Sequence, residues 1–84
     1  MIQIYGKQDC PFCLKAKQLC ESQALMYEYY EFEVDYSREL FLETFPGANT
    51  VPQIVVNGTK IGGYNELTKY IEETGYNGTG STLW

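Results

Sequence analysis

Two cysteines three residues apart, Cys10-Pro11-Phe12-Cys13, constrain this chain more than any other stretch. They follow the short β-branched and aromatic run Ile2 to Tyr5, bounded by Gly6, which reads as a strand. Good helix formers then run from Pro11 to about Gln23, with Cys13, Ala16, Leu19, Cys20 and Gln23 at helical spacing. Pro suits the first helical position, where its missing N–H would have had no partner. Cys10 therefore falls at the N-cap, where its sulfur can accept hydrogen bonds from the Phe12 and Cys13 amides and feel the positive end of the helix dipole.

That placement suits a nucleophile. A free thiol titrates near pH ~8.5, so about 3% is thiolate at neutral pH, and the thiolate is the reactive form. Lowering the pKa by roughly 3 units requires about 4 kcal/mol. A helix terminus supplies about 0.3–1 kcal/mol, at best about 2. Direct N–H···S⁻ bonds, the Cys13 thiol and the Lys7 ammonium are the other sources at hand, while Asp9 opposes them. Helix-terminal C-x-x-C thiols commonly titrate between roughly 3.5 and 7.5, and Cys10 is expected below about 7. A zinc site would need two more ligands, and the chain has only Cys20 and no histidine. A structural disulfide within one turn would close too small a loop to stabilise much. Redox exchange is the reading that uses this spacing, and Cys20, on the apolar stripe, reads as a small buried hydrophobe.

The remaining elements follow in order. Met26 to Asp35 alternates, with Glu28, Tyr30, Phe32 and Val34 on one side, and predicts a strand parallel to the first through a right-handed crossover. Ser37 caps a helix to about Phe45, with Leu40, Phe41 and Phe45 inward and Arg38, Glu39 and Glu43 solvated; Pro46-Gly47 ends it. Gln53 to Val56 is an apolar strand and Asn57-Gly58 a hairpin turn into Lys60-Ile61. Gly62-Gly63 breaks that strand, and Tyr64 to Thr74 has helical spacing before a Gly75 stop. Residues 1–75 are expected to form one domain, with Tyr76 to Trp84 as a flexible tail in which Leu83-Trp84 could dock.

Eleven acidic residues against six basic ones give a net charge of −5, which disfavours nucleic acid or an anionic membrane as partner. No apolar run approaches membrane-spanning length, and the chain opens on a strand pattern rather than a signal peptide. Three cysteines, an odd number, suit a reducing compartment, so a cytoplasmic monomer is the expectation.

The order β-α-β-α-β-β-α with C-x-x-C at the first β-to-α junction resembles the thioredoxin fold, and three blocks resemble glutaredoxins. They are Cys10-Pro11-Phe12-Cys13, Thr50-Val51-Pro52 and Gly62-Gly63-Tyr64-Asn65-Glu66, within about residues 1–74. The resemblance implies a thioredoxin-like α/β fold, a four-stranded mixed sheet flanked by three helices. It implies a cis Pro52 against the thiol pair, leaving the Val51 backbone free to pair with a bound peptide. It implies a glutathione-dependent thiol–disulfide oxidoreductase in which Cys10 attacks, Pro11 shapes the turn and Cys13 resolves, with glutathione as reducing co-substrate, no metal, and disulfide-bearing proteins as substrates. Glutathione would lie across Lys7, Phe12, Thr50, Val51, Pro52, Gly63, Tyr64, Asn65 and Glu66. The Lys7 ammonium and the Asn65 and Glu66 amides would meet its carboxylates. Two departures touch this site. Phe12 stands where tyrosine is more common, and Asn65-Glu66 where Thr-Asp or Asp-Asp is common. Two other readings share the motif: a thioredoxin-like donor reduced by a flavoprotein and serving an enzyme such as ribonucleotide reductase, and an iron–sulfur carrier in which two chains and two glutathiones hold a cluster through Cys10.

Overall fold

A computed structural model describes residues 1–76. Its elements are β1 (Ile2–Gly6), α1 (Pro11–Ser22), β2 (Tyr27–Glu31), α2 (Arg38–Thr44), β3 (Gln53–Val56), β4 (Thr59–Gly62) and α3 (Tyr64–Thr74). The strands form one sheet in the order β2-β1-β3-β4. A helical crossover makes β2 parallel to β1, with Gly6 opposite Glu31. β3 runs antiparallel to β1, with Ile4 opposite Ile54, and β4 antiparallel to β3. Asn57 and Gly58, at φ 51° and 85°, turn that hairpin, since both central positions of a type I′ turn need positive φ.

Period-two alternation sends the sheet's side chains to two unlike layers. Ile2, Ile4, Ile54 and Val56 pack with Ala16 and Cys20 of α1 and Leu67 and Ile71 of α3. Among the described residues the other face meets the seven-residue α2 and the loop after it, and rings fill what a longer helix would cover: Tyr5 lies 5.0 Å from Tyr30, 5.4 Å from Tyr36 and 5.1 Å from Phe45 between centroids. That layer uses much of the chain's aromatic content.

The structure departs from the sequence reading at three places. β2 stops at Glu31, because Asp35 folds back to accept from the Glu31 N–H at 2.8 Å and Glu33 takes φ 68°, making a turn; Val34 is 72% exposed rather than facing the sheet. Leu40 is 46% exposed, because α2 turns Phe41, not its neighbour, toward the sheet. Tyr76, read as the start of the tail, is buried in the α1/α3 layer, its ring 5.9 Å from that of Tyr70 and its hydroxyl accepting from the Met1 ammonium at 3.2 Å. The rest of the expected tail, with Leu83-Trp84, lies outside the described residues. Among the described residues no helix is long and apolar enough to cross a membrane.

Candidate active site

β1 ends at Gly6, and four residues carry the chain over the sheet's edge to α1. Asp9, at φ 58°, makes the last turn, a backbone state that Asp tolerates better than most residues. It delivers Cys10 to the N-cap in an extended conformation, with Pro11 starting the helix. The Cys13 N–H donates to Cys10 Sγ at 3.2 Å, so one of the two expected amides reaches the sulfur and that of Phe12 does not. Cys10 and Cys13 are joined as a disulfide with Cα atoms 5.2 Å apart. Their exposures differ: Cys10 is half-buried, whereas Cys13 is 1% exposed. A partner can reach only the first sulfur.

The facing wall is the loop before β3, where the Val51–Pro52 peptide bond is cis. Cys10 Sγ lies 3.8 Å from the Val51 carbonyl oxygen, an acceptor for the thiol once the pair is reduced. A groove of about 560 Å³ opens beside this contact, bounded by Lys7 and Cys10, by Thr50 and Val51, and by Tyr36 and Arg38. A second, of about 730 Å³, lies on the other flank of Cys10 between α1 and β2, bounded by Leu14, Lys17, Tyr29 and Glu31. Lys7 borders both.

The residues expected to meet glutathione fall into two groups that join at Pro52. Lys7, Thr50 and Val51 line the first groove. Gly63, Tyr64, Asn65 and Glu66 begin α3, where the Gly63 N–H donates to the Glu66 carboxylate at 2.9 Å. The Asn65 and Glu66 N–H groups meet no protein acceptor among the described residues. They remain open to an anion. A Cβ placed on Gly63 would sit 3.5 Å from the Pro52 carbonyl, which shows how closely the two segments abut. Phe12, 50% exposed, stands at the rim beside the second group, its ring 6.1 Å from Tyr64 and 5.0 Å from the Lys15 ammonium.

Four residues escaped the sequence reading. Arg38 borders the groove instead of being merely solvated. A cation in the first turn of a helix opposes the dipole, and that was the available signal. Gly6 has room for no side chain: a Cβ there would collide with the Tyr29 hydroxyl and come 2.9 Å from Cys13 Sγ. Its carbonyl accepts from the Tyr36 hydroxyl at 2.7 Å and the Phe32 N–H at 2.9 Å, and the Tyr29 hydroxyl donates to the Lys7 carbonyl at 3.2 Å. Two tyrosines thus hold the segment leading to the thiols. Cys20 is fully buried, and burial, aided by Glu21, pushes its thiol up to about 11. Among the described residues no group of His, Cys, Asp or Glu is arranged to hold a metal ion.

A family model for glutaredoxins matches residues 2–61. Glutaredoxin 1 of Rickettsia typhi is 37% identical over 68 residues, covering 79% of this chain and 65% of that protein. Glutaredoxin 1 of Escherichia coli is 31% identical over 77 residues, covering 83% and 91%. This chain therefore spans just under two thirds of the Rickettsia protein and most of the Escherichia coli one. The crystal structure of glutaredoxin 1 from Francisella tularensis complexed with cacodylate superposes with a TM-score of 0.74 at 26% identity, over 86% of this chain and 92% of that one. The shared architecture is the thioredoxin-like fold.

Proposed function

Because this chain belongs to the glutaredoxin family, we propose that it is a thiol–disulfide oxidoreductase reduced by glutathione and acting on protein disulfides and glutathione mixed disulfides. The observation that carries this reading is the asymmetry of the thiol pair: a reachable Cys10 at a helix N-cap, bonded to a buried Cys13. The Cys10 thiolate attacks one sulfur of a substrate disulfide, and the other sulfur departs as a thiolate. Cys13, as thiolate, then attacks Cys10 Sγ, closing the Cys10–Cys13 bond and freeing the reduced substrate. One glutathione thiolate opens that bond to form a mixed disulfide at Cys10. A second attacks the bound glutathione sulfur and releases glutathione disulfide. A mixed disulfide of a protein with glutathione needs Cys10 alone.

The grooves suit the anionic reductant. Lys7 and Arg38 at the first groove and the free amides of Asn65 and Glu66 offer positive poles at separated points, matching the two carboxylates of glutathione, while the Val51 backbone offers strand-like pairing. The cycle requires a reducing compartment. Cys10→Ser should abolish turnover. Cys13→Ser should retain reduction of glutathione mixed disulfides and lose reduction of intramolecular protein disulfides. A wild-type protein reduced readily by thioredoxin reductase and negligibly by millimolar glutathione would overturn the glutathione assignment.

A further inference from the structure

Resolution of a mixed disulfide makes a demand that the buried sulfur does not meet by itself. Cys13 must become a thiolate at a site 1% exposed, and removing a charge from water raises the cost of forming it. Seven residues along the same helix, Cys20 shows that cost: it is equally enclosed, and burial pushes it up to about 11. Cys13 needs a hydrogen-bond donor that Cys20 lacks.

Tyr29 brings one. It stands on β2 opposite Ile4, on the sheet face that α1 covers, and its hydroxyl crowds the same side of Gly6 as Cys13 Sγ does. That hydroxyl now donates to the Lys7 carbonyl at 3.2 Å, long for an O–H···O bond and therefore weakly held. Rotation about the C–O bond re-aims the proton without moving the ring. The Lys17 ammonium lies 4.6 Å from the ring centroid, so the ring is held from α1 as well. Burial and the nearby Glu31 raise the Tyr29 pKa, which keeps the hydroxyl protonated and makes it a donor rather than a base.

We propose that Tyr29 is a positioning residue for the resolving step, seating Cys13 against Gly6 and donating a hydrogen bond to its thiolate. This rests on the dithiol reading above. In the step, the Cys13–Cys10 bond forms and the bond from Cys10 to the substrate sulfur breaks. The substrate departs as a thiolate and takes up the proton that Cys13 gave to water; Tyr29 keeps its own. The groove lined by Tyr29 and Cys10 lies beside this pair, and Lys7, Asp9, Lys17 and Glu31 are the charged groups that border it.

Ellman's disulfide separates the two steps, because attack by Cys10 releases one nitrothiophenolate in a second-order phase and resolution by Cys13 releases another in a first-order phase. With the reduced protein, Tyr29→Phe should act on the second phase more than on the first. It should slow the second several-fold at neutral pH through a smaller thiolate fraction, and the deficit should shrink as pH rises. Tyr27→Phe, on the same strand but bonded to Glu21, should change neither phase. Slowing that is independent of pH, slowing of both phases alike, no change, or the same loss in Tyr27→Phe would overturn this role. A wild-type protein that released only one equivalent would overturn the dithiol reading, and this role with it.

Discussion

Cys10 and Cys20 are one chemical group in two environments ten residues apart on and beside the same helix. The first stands at an N-cap beside an open groove, and the second is enclosed by the core. With its thiol pushed up to about 11, Cys20 is ionised to only about 0.1% at pH 8 and is sealed from reagents. Brief iodoacetamide treatment of the reduced protein should therefore label Cys10 and leave Cys20 untouched until denaturant is added, as peptide mass mapping would show. The same shift has a consequence for stability. Cys20 and Tyr36, whose ordinary values near 9.0 and 10.0 are raised by burial to about 11 and about 12, bind their protons more tightly when folded. Their contribution is complete below about pH 9 and is lost as pH rises through 11 and 12. Urea midpoints should fall across that alkaline window, and Cys20→Ala should flatten the lower part of the fall. Gly6 acts by what it lacks. Gly6→Ala forces a methyl against the Tyr29 hydroxyl and Cys13 Sγ, and an overpacked site of this kind costs about 1–3 kcal/mol, measurable by denaturant titration.

At the scale of elements, local signals decided what the sequence could show. Helix α1 was legible from Pro11 and the stripe through Cys13, Ala16 and Cys20, and the β3–β4 hairpin from Asn57-Gly58, because caps and turns are set by a few residues in direct contact. Ser37 is another such signal: its hydroxyl accepts from the Leu40 N–H at 3.1 Å. Ser37→Ala should lower stability by about 1 kcal/mol, seen as a lower melting temperature. What stayed hidden was tertiary. The alternation of Glu28, Tyr30, Phe32 and Val34 continues past the point where Asp35 bonds back to Glu31, and periodicity carries no trace of that bond. Likewise the aromatic layer needs Tyr36 where the chain turns, and its hydroxyl reaches Gly6, thirty residues earlier. The cysteines, the cis-proline loop and the start of α3 could be picked out as motifs, since each is contiguous. Tyr29 could not, because it belongs to the site only through the fold, and Arg38 left no more than the trace of a cation in a helix's first turn.

Across the whole molecule, charge is arranged against its own sum. The net charge is −5, yet four of the six cations, Lys7, Lys15, Lys17 and Arg38, stand at the grooves beside Cys10 or at the Phe12 rim, where Asp9 and Glu31 are the carboxylates that share the grooves. On the proposed reading, glutathione approaching at neutral pH would be repelled by the body of the protein and drawn to these cations. Salt weakens both terms, the longer-range one first, over a Debye length of about 8 Å at physiological ionic strength. Lys7 borders both grooves, so it should carry the largest share. Lys7→Glu should raise the KM for glutathione several-fold and leave kcat nearly unchanged, since an exposed pair contributes only a few-fold in affinity and reversing its sign roughly doubles the effect in free energy. The salt response gives the sharper test. Added salt should raise KM in the wild type by screening attraction, and should lower it in Lys7→Glu by screening repulsion. Equal salt slopes for the two proteins would remove Lys7 from the docking site and leave the reductant to be held by Arg38 and the α3 amides.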